Sequence, residues 1–295
     1  MRLIKPSFDI LDQQCGLEGI YKQIEIAGRT CYKSEDKITE DSAKGFVDRM
    51  IKSGHGAMLE HGTVYLAMPM ETIIPIEANR WGKYTKNPYS KGFKICEVNG
   101  QKRVAVTTNL RVLVENDWLD DLQYICEPTE HHEKRVTVRF ICDRGVSHEF
   151  VRHRVFSFAQ ESTRYCNYSK DKFGNELTFI EPCWLEDYNY DGNTYNQLFR
   201  DSLRWAEAHY LDLLRKWEDK IPDKRYKTGL RNNPWTPQQA RAILPNSLKT
   251  ELVMTGFISD WKHFFELRDA ASAHPQAQEL AHPLHEAFIQ RGLVE

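Results

Sequence analysis

The chain has 295 residues, of which 41% are hydrophobic and 28% are charged, and its formal net charge is -2. This composition is typical of a soluble globular protein, and the near-zero charge excludes a global basic field for nucleic acid, so any anion site must be local. The longest apolar runs are far shorter than a membrane span, and the polar N-terminal sequence does not indicate a signal peptide. We therefore expect a cytoplasmic protein that does not bind nucleic acid or a membrane.

The seven cysteines are widely scattered, and none are spaced as Cys-x-x-Cys. An odd number in this arrangement argues against a disulfide framework and against a cysteine-rich zinc site. We expect no metal.

The first clear element in the chain is a helix over residues 42–52, in which apolar residues recur at helical spacing. A short strand over 63–68 follows. Residues 104–114 mix strand-forming and polar residues, and a short amphipathic helix is predicted within 118–126. The strongest strand signal lies at 136–142, where β-branched residues alternate with polar ones.

Helices dominate the second half of the sequence. A long apolar stripe predicts a helix over 194–218, which includes Trp217. The sequence Thr-Pro-Gln-Gln at 236–239 is a strong helix start that Pro245 later ends. Two more helices are expected near 259–272 and 275–290. The sequence therefore predicts a mixed α/β (α+β) protein with a helix-rich C-terminal half.

The densest cluster of chemically active side chains begins at Arg152. Arginine offers a planar fork suited to phosphate and carboxylate groups. In an extended chain Arg152 and Arg154 would share one face, with His153 on the other. Such a site could hold two anionic groups at once. The alternative is a solvated basic turn with ion pairs to Glu149 and Glu161.

The spacing favours the first alternative. An Arg-His-Arg triplet, seven intervening residues, a serine, one residue and an arginine resemble the defining motif of the flavin-dependent thymidylate synthases, the ThyX family. The matching positions are Arg152, His153, Arg154, Ser162 and Arg164. Three further segments resemble the family in the same order: His55-Gly-Ala-Met-Leu-Glu60-His61, Arg241 before Leu-Pro, and His-Phe-Phe-Glu-Leu-Arg ending at Arg268.

The resemblance implies an α/β fold with a central sheet flanked by helices, as one catalytic domain over 1–295. The stretch from about 69 to 135 would be an inserted hairpin and helix. The implied reaction is reductive methylation of dUMP to dTMP, with 5,10-methylenetetrahydrofolate as the carbon donor and NADPH reducing FAD. The implied partners are dUMP and folate, and the implied assembly is a homotetramer with active sites shared between subunits.

The resemblance also implies residue roles. Arg268 would be catalytic and would polarise the uracil ring. The residues expected to line the flavin site are Arg152, His153, Arg154, His55, Ala57, Glu60 and His263. The residues expected to hold dUMP are Glu149, Arg152, Gln160, Glu161, Ser162, Thr163, Arg164, Arg268 and, from another subunit, Arg241.

Three positions depart from the family pattern. Phe257 and Ser259 stand where some members place asparagine and arginine for the flavin, and Ala57 replaces a hydroxyl residue. A family member that kept the fold and flavin but lost synthase activity is one alternative function. A second is a nucleic-acid binder that uses Phe156 and Tyr165, with Phe158, as stacking groups beside the arginines.

Other residues have simpler interpretations. Cys166 has no visible histidine and acid to activate it, so we expect a bystander thiol and not a nucleophile. His131-His132 is expected to lie in a solvated loop. Trp261, Phe264 and Phe265 recur at helical spacing and are expected in the core or a subunit interface.

Overall fold

The computed structural model describes residues 1–71, 75–188, 194–215 and 234–295. The strands are β1 (Arg2–Ile4), β2 (Ser7–Leu11), β3 (Thr63–Pro69), β4 (Lys91–Val98), β5 (Gln101–Asn109), β6 (Arg135–Asp143), β7 (Ser157–Gln160), β8 (Thr178–Ile180) and β9 (Lys249–Phe257). The α-helices are α1 (Gly16–Tyr32), α2 (Ser42–Lys52), α3 (Gly56–Leu59), α4 (Leu110–Glu115), α5 (Arg144–Phe150), α6 (Thr194–Leu214), α7 (Pro237–Ala240), α8 (Ile258–Arg268) and α9 (Pro275–Gln290). The predicted mixed α/β class is confirmed.

The central layer is a four-stranded antiparallel sheet with the strand order β2-β6-β9-β7. Alternate residues of β6, Val138, Phe140 and Cys142, point to one face, where they pack with α5, α8 and α9. This core includes Trp261 and Phe264, as the sequence predicted. The opposite face packs against α1, so helices flank the sheet on both sides.

The register of this sheet brings α5 and α8 together. β6 and β9 pair antiparallel over their whole length, so each begins where the other ends. Helix α5 follows β6 and helix α8 follows β9, so the two helices start at opposite ends of the sheet and run back towards each other. The 11 residues of α8 span about 16 Å. The end of α8 therefore reaches the end of α5.

A second antiparallel sheet has the order β3-β5-β4. It packs with α1 and α2 around a separate apolar core. The stretch 69–135 contains the β4-β5 hairpin and helix α4, and the helix predicted within 118–126 is a 3-10 helix, Leu119–Tyr124. Only part of the 104–114 stretch is a strand, because Asn109 caps a helix: its side chain accepts a hydrogen bond from the backbone N–H of Val112.

The remaining strands, β1 and β8, pair in parallel beside α6. Of the predicted helix 194–218, residues 216–218 with Trp217 lie outside the described residues. The helix predicted from 236–239 is shorter than expected, since α7 ends at Ala240 and a 3-10 turn follows. Within the described ranges, none of the helices combines the length and apolar character needed to cross a bilayer.

Candidate active site

The junction of α5 and α8 holds a three-residue contact centred on Arg268. Its Nη1 donates to the Glu149 carboxylate at 2.6 Å, and its Nη2 donates to the Glu149 backbone carbonyl at 2.8 Å. Its Nε donates to His153 Nε2 at 3.0 Å. The guanidinium is thus fixed by three bonds, and it keeps two of its five N–H donors for a ligand.

His153 is a neutral acceptor in this contact. Arginine can only donate, so Nε2 of His153 must be unprotonated and Nδ1 must carry the proton. Burial, with the charge of Arg268 and then of His263, lowers the pKa of His153 to about 4. The ring also lies against Phe264, at 5.1 Å between ring centroids. A fixed cation therefore stands beside a neutral imidazole at physiological pH.

The Arg-His-Arg triplet lies in a turn between α5 and β7. His153 is buried, whereas Arg152 and Arg154 are exposed, so the predicted alternation is present in a turn instead of a strand. Arg152 is 72% exposed and approaches Glu149 only at 3.9 Å. The predicted flavin residue His263 lies next to this loop, with its ring 6.2 Å from that of His153. Two exposed guanidiniums thus flank the Arg268 contact.

The residues after β7 divide between interior and surface. The Gln160 side chain donates to Ser147 on α5, at 2.8 Å, and to Thr250 on β9, at 3.2 Å. The Glu161 carboxylate is buried and already bonded to Tyr168 and Lys249, both at 2.8 Å. Glu161 therefore serves a buried network in this chain.

In the rest of the predicted nucleotide segment, Thr163 is buried, Ser162 is half-buried and Arg164 faces solvent. Arg164 is exposed, and its guanidinium lies 5.5 Å from the centre of the exposed Tyr165 ring. Its backbone N–H donates to Ser162 Oγ at 3.3 Å. Arg241 donates to Thr163 Oγ1 of the same chain at 3.3 Å. The structure thus brings Arg241 to the Ser162–Arg164 segment without a second subunit.

The upstream segment with His55, Ala57 and Glu60 surrounds the short helix α3. His55 and Ala57 are exposed, and the Glu60 carboxylate accepts from Arg111. Within the described ranges, no side-chain hydrogen bond joins His55 or Ala57 to the Arg268 contact. The link between the α3 segment and the Arg268 contact is indirect and passes through a different arginine, Arg135.

Arg135 was not recognised from the sequence as a residue of the site. Its Nη1 donates to the Glu60 carbonyl at 3.0 Å and its Nη2 donates to Ser157 Oγ at 3.3 Å, so it ties the α3 segment to the start of β7. Burial lowers its pKa to about 10, so it remains charged at neutral pH. Its Nε is buried without a hydrogen-bond partner. The only sequence signal was a charged residue at the start of a buried strand.

A second unrecognised cation lies where the sequence departs from the family. Lys91 on β4 donates to Ser259 Oγ at 2.8 Å, and its Nζ lies 4.4 Å from the centre of the Phe257 ring. The Arg135 guanidinium lies 5.5 Å from the same ring. Phe257 is therefore held between two cations.

The structure also explains Cys166 and His132, two residues that the sequence did not place in the active site. Cys166 is buried, and burial followed by the charge of Glu161 raises the pKa of its thiol to about 12. His132 corrects the expectation of a solvated loop: it is buried and lies 3.1 Å from the Leu66 carbonyl. His132 therefore fastens its loop to β3.

Glu149 also borders open space. A cleft of about 610 Å³ is lined by α5 residues Gly145 and Glu149 together with Trp184, Pro245 and Asn246. Its wall combines aromatic and apolar side chains with a similar number of polar and charged ones. Glu149 thus borders this cleft and also holds Arg268, although Arg268 itself does not line the cleft.

Comparison with known proteins identifies the family. The family model described as thymidylate synthase complementing protein matches residues 123–291. A flavin-dependent thymidylate synthase of Mycolicibacterium gilvum is 33% identical over 138 residues, which cover 47% of this chain and 50% of that protein. The one from Mycolicibacterium vanbaalenii is 24% identical over 260 residues, covering 88% of this chain and 71% of that protein.

The chain thus spans about half the length of the Mycolicibacterium gilvum relative. A UMP/dUMP methylase, PolB from Streptomyces cacaoi, solved with 5-Br dUMP, is 18% identical with a TM-score of 0.40 and covers 100% of this chain and 99% of that one. The family-model match includes the whole Arg-His-Arg motif, Arg241 and Arg268. This chain belongs to the thymidylate synthase complementing protein family, the flavin-dependent thymidylate synthases that its motif resembles.

Proposed function

We propose that this protein methylates dUMP to dTMP, with 5,10-methylenetetrahydrofolate as the carbon donor and NADPH reducing a bound FAD. The observation that carries the proposal is the Arg268 guanidinium, held by Glu149 and His153 with two N–H donors left over. Family membership and the names of the relatives support it.

The residues present fit a flavin nucleotide. Arg152, Arg154 and Arg164 are exposed, which suits the phosphates of a dinucleotide. The residues that would hold FAD are Arg152, His153, Arg154, His55, Ala57, Glu60 and His263. When bound, the flavin supplies the reducing equivalents of the methylation.

The chain's own residues account for activation of the substrate. Uracil C5 is a poor nucleophile, so the ring must become electron-rich before it accepts a carbon. A fixed cation beside the ring carbonyls stabilises the negative charge that develops there. Arg268 is the candidate because arginine is a cation in proteins and three hydrogen bonds hold this guanidinium in place. The remaining dUMP contacts would come from Glu149, Arg152, Gln160, Glu161, Ser162, Thr163, Arg164 and Arg241.

A thiolate route is disfavoured near this site. Attack on uracil C6 needs a deprotonated cysteine, and the Cys166 thiol is protonated at neutral pH because burial raises its pKa to about 12. The nucleic-acid alternative also loses support, since Phe156, one of its expected stacking groups, is buried in the core.

The assembly we propose is a cytoplasmic homotetramer of single-domain chains, each with the 69–135 stretch as an insertion. We propose that active sites are shared, with Arg241 completing the nucleotide site of a neighbouring subunit. Within one chain, Arg241 contacts Thr163. This contact defines a second arrangement, in which Arg241 completes the site of its own chain, and experiment can distinguish the two arrangements.

The experiment is a direct assay of the purified protein. We expect it to take up FAD, to lose the oxidised-flavin absorbance on addition of NADPH, and to form dTMP when dUMP and methylenetetrahydrofolate are supplied. Absence of FAD binding at micromolar concentration would refute the proposal. Flavin bleaching without any dTMP would favour a family member that has lost synthase activity.

A further inference from the structure

A basic cleft of about 800 Å³ lies between α1 and α2, separate from the Arg268 contact. Its cationic lining residues are Arg29, Lys37, Arg49, Lys52 and Lys172, and His55, one of the residues expected at the flavin, also lines it. Over the described part of the chain, the lining includes no aspartate or glutamate. In a protein of net charge -2, this is a local concentration of positive charge.

Most of this charge is not neutralised by neighbours. In the described ranges, no carboxylate forms an ion pair with Lys37, Arg49 or Lys52. Lys172 is paired with Asp36 at 2.7 Å on the surface. Like charges that converge on one cavity repel each other, so the cleft gains stability when an anion occupies it.

One wall of the cleft is rigid. Arg29 donates from Nε and Nη2 to the buried Glu25 carboxylate at 3.1 and 2.9 Å, and Glu25 also accepts from Ser42 Oγ at 2.7 Å. The Arg29 guanidinium lies 4.9 Å from the centre of the Phe46 ring. A side chain at Gly28 would meet that ring at 2.5 Å, so the glycine is what allows Phe46 to pack there. Arg29 is therefore pre-oriented.

The cleft is connected to the candidate active site. Tyr32 lines the cleft, and its ring lies 5.4 Å from the ring of Tyr165. The guanidinium of Arg164 in turn lies 5.5 Å from the centre of the Tyr165 ring. Both tyrosines are exposed. They form an aromatic edge between the cleft and the nucleotide segment, on which a planar ring could stack.

We propose that this cleft binds the polyanionic end of a cosubstrate whose reactive end reaches the active site, an assignment that rests on the proposed function. Two cosubstrates share this chemistry. One is the phosphorylated adenosine end of NADPH, and the other is a γ-linked polyglutamate tail on the folate. Arginine and lysine side chains bind phosphate and carboxylate groups alike, while the tyrosine edge accommodates the ring that follows.

The test uses FAD-saturated protein and calorimetric titration. The probes are adenosine 2′,5′-bisphosphate for the dinucleotide and tri-γ-glutamate for the folate tail, each at low and high salt. The cleft variants are Arg49→Ala and Lys52→Ala, and Lys44→Ala is the matched control. Lys44 lies on the same helix, is 73% exposed and pairs with Asp48 at 2.9 Å outside the cleft.

We expect one probe to bind the unmodified protein and to lose at least about tenfold in affinity in each cleft variant, since each loses a charge-assisted contact. Salt should weaken the binding, and Lys44→Ala should bind as the unmodified protein does. The probe that binds identifies the cosubstrate. Binding of neither probe, or equal affinity in all variants, overturns the proposal.

FAD and dUMP titrations on the same variants complete the test. Unchanged affinities for both support a separate cosubstrate site. A loss of FAD or dUMP affinity in the cleft variants would assign the cleft to the flavin or nucleotide site and overturn the proposal. If the unmodified protein takes up no FAD at all, the proposed function fails, and the probe titrations on that protein still show whether the cleft binds anions.

Discussion

At the scale of single residues, Arg268 is a permanent cation whose guanidinium is held in one position by its neighbours. The Glu149 carboxylate that holds it also offsets part of its charge, since Nη1 and Oε2 are 2.6 Å apart. The neutral His153 restrains it without adding charge. A ligand therefore meets a guanidinium whose orientation is set before binding, and preorganisation of this kind is what makes a fixed charge effective in catalysis.

The first prediction contrasts Arg268 with Cys166. Arg268→Ala should reduce dTMP formation by about 10²-fold or more, in the range seen on loss of a preorganised donor to an oxyanion. Cys166→Ser should retain most activity, because its thiol is protonated in the native protein. Both variants should still bind FAD. The measurement is dTMP formed under saturating cofactors, and an inactive Cys166→Ser beside an active Arg268→Ala would overturn the mechanism.

The second prediction concerns the buried histidines and acid stability. His153 and His61 are neutral when folded, with pKa values lowered to about 4 and about 3, mainly by burial. Below pH 6.5, the pKa of histidine in the unfolded chain, the unfolded chain binds protons at these two histidines and the folded chain does not. The free energy of unfolding should therefore fall as the pH falls from 6.5 towards 4, by up to about 3 kcal/mol for His153.

Denaturant unfolding across this pH range provides the measurement. His153→Gln should lose less stability between pH 6.5 and pH 4 than the unmodified protein, because it lacks the titrating group. Parallel stability curves for the two proteins would show that His153 does not carry the effect.

At the scale of elements, the site depends on how α5 begins. Asp143 is the N-cap: its Oδ1 accepts from the Val146 backbone N–H at 2.6 Å, and its Oδ2 accepts from Gln276 on α9 at 2.9 Å. One side chain thus starts α5 and fixes it to α9. Burial raises the pKa of Asp143, which means that its environment disfavours the charged form.

The third prediction follows from that cap. Asp143→Ala should cost about 2–3 kcal/mol of unfolding free energy, through loss of the cap and through the unpaired Gln276 side chain. Asp143→Asn should cost less than about 1 kcal/mol, since the amide oxygen still caps the helix, Gln276 can turn its amide so that its oxygen accepts from the new NH2 group, and no charge is buried. Denaturant midpoints at neutral pH compare the two, and an equal loss in both would refute the capping role.

At the scale of the whole molecule, the open question is which subunit supplies Arg241. We propose that it acts across a subunit boundary, although it contacts Thr163 in its own chain. The two arrangements differ in which pairs of variants can complement each other.

The fourth prediction uses that difference. Arg241→Ala and Arg164→Ala should each be inactive, and mixed tetramers should recover activity, because some sites would then combine an intact Arg241 with an intact Arg164. Light scattering should show tetramers throughout. Mixed tetramers without activity would place Arg241 in the site of its own chain, and a monomer would contradict the assembly itself.

Local signals in the sequence accounted for much of the fold. The strands at 63–68 and 136–142 and the helix at 42–52 are present nearly as predicted, because hydrophobic periodicity and β-branched residues act over a few neighbouring positions. Element ends were less predictable. The last two helices were expected near 259–272 and 275–290, and α8 instead ends at Arg268, where the last turn is held by contacts with α5 that are distant in sequence.

The sequence by itself determined the family and the residue types of the site, since the Arg-His-Arg motif and its partners keep a fixed spacing. Only the tertiary structure decided what those side chains touch: that His153 accepts from Arg268, that Glu161 is buried with Lys249, and that Lys91 lies over Phe257. These pairs are joined by the antiparallel pairing of β9 with both β6 and β7 and by the folding of the β4-β5 hairpin. Contacts of this kind depend on the packing of whole elements, which no local pattern encodes.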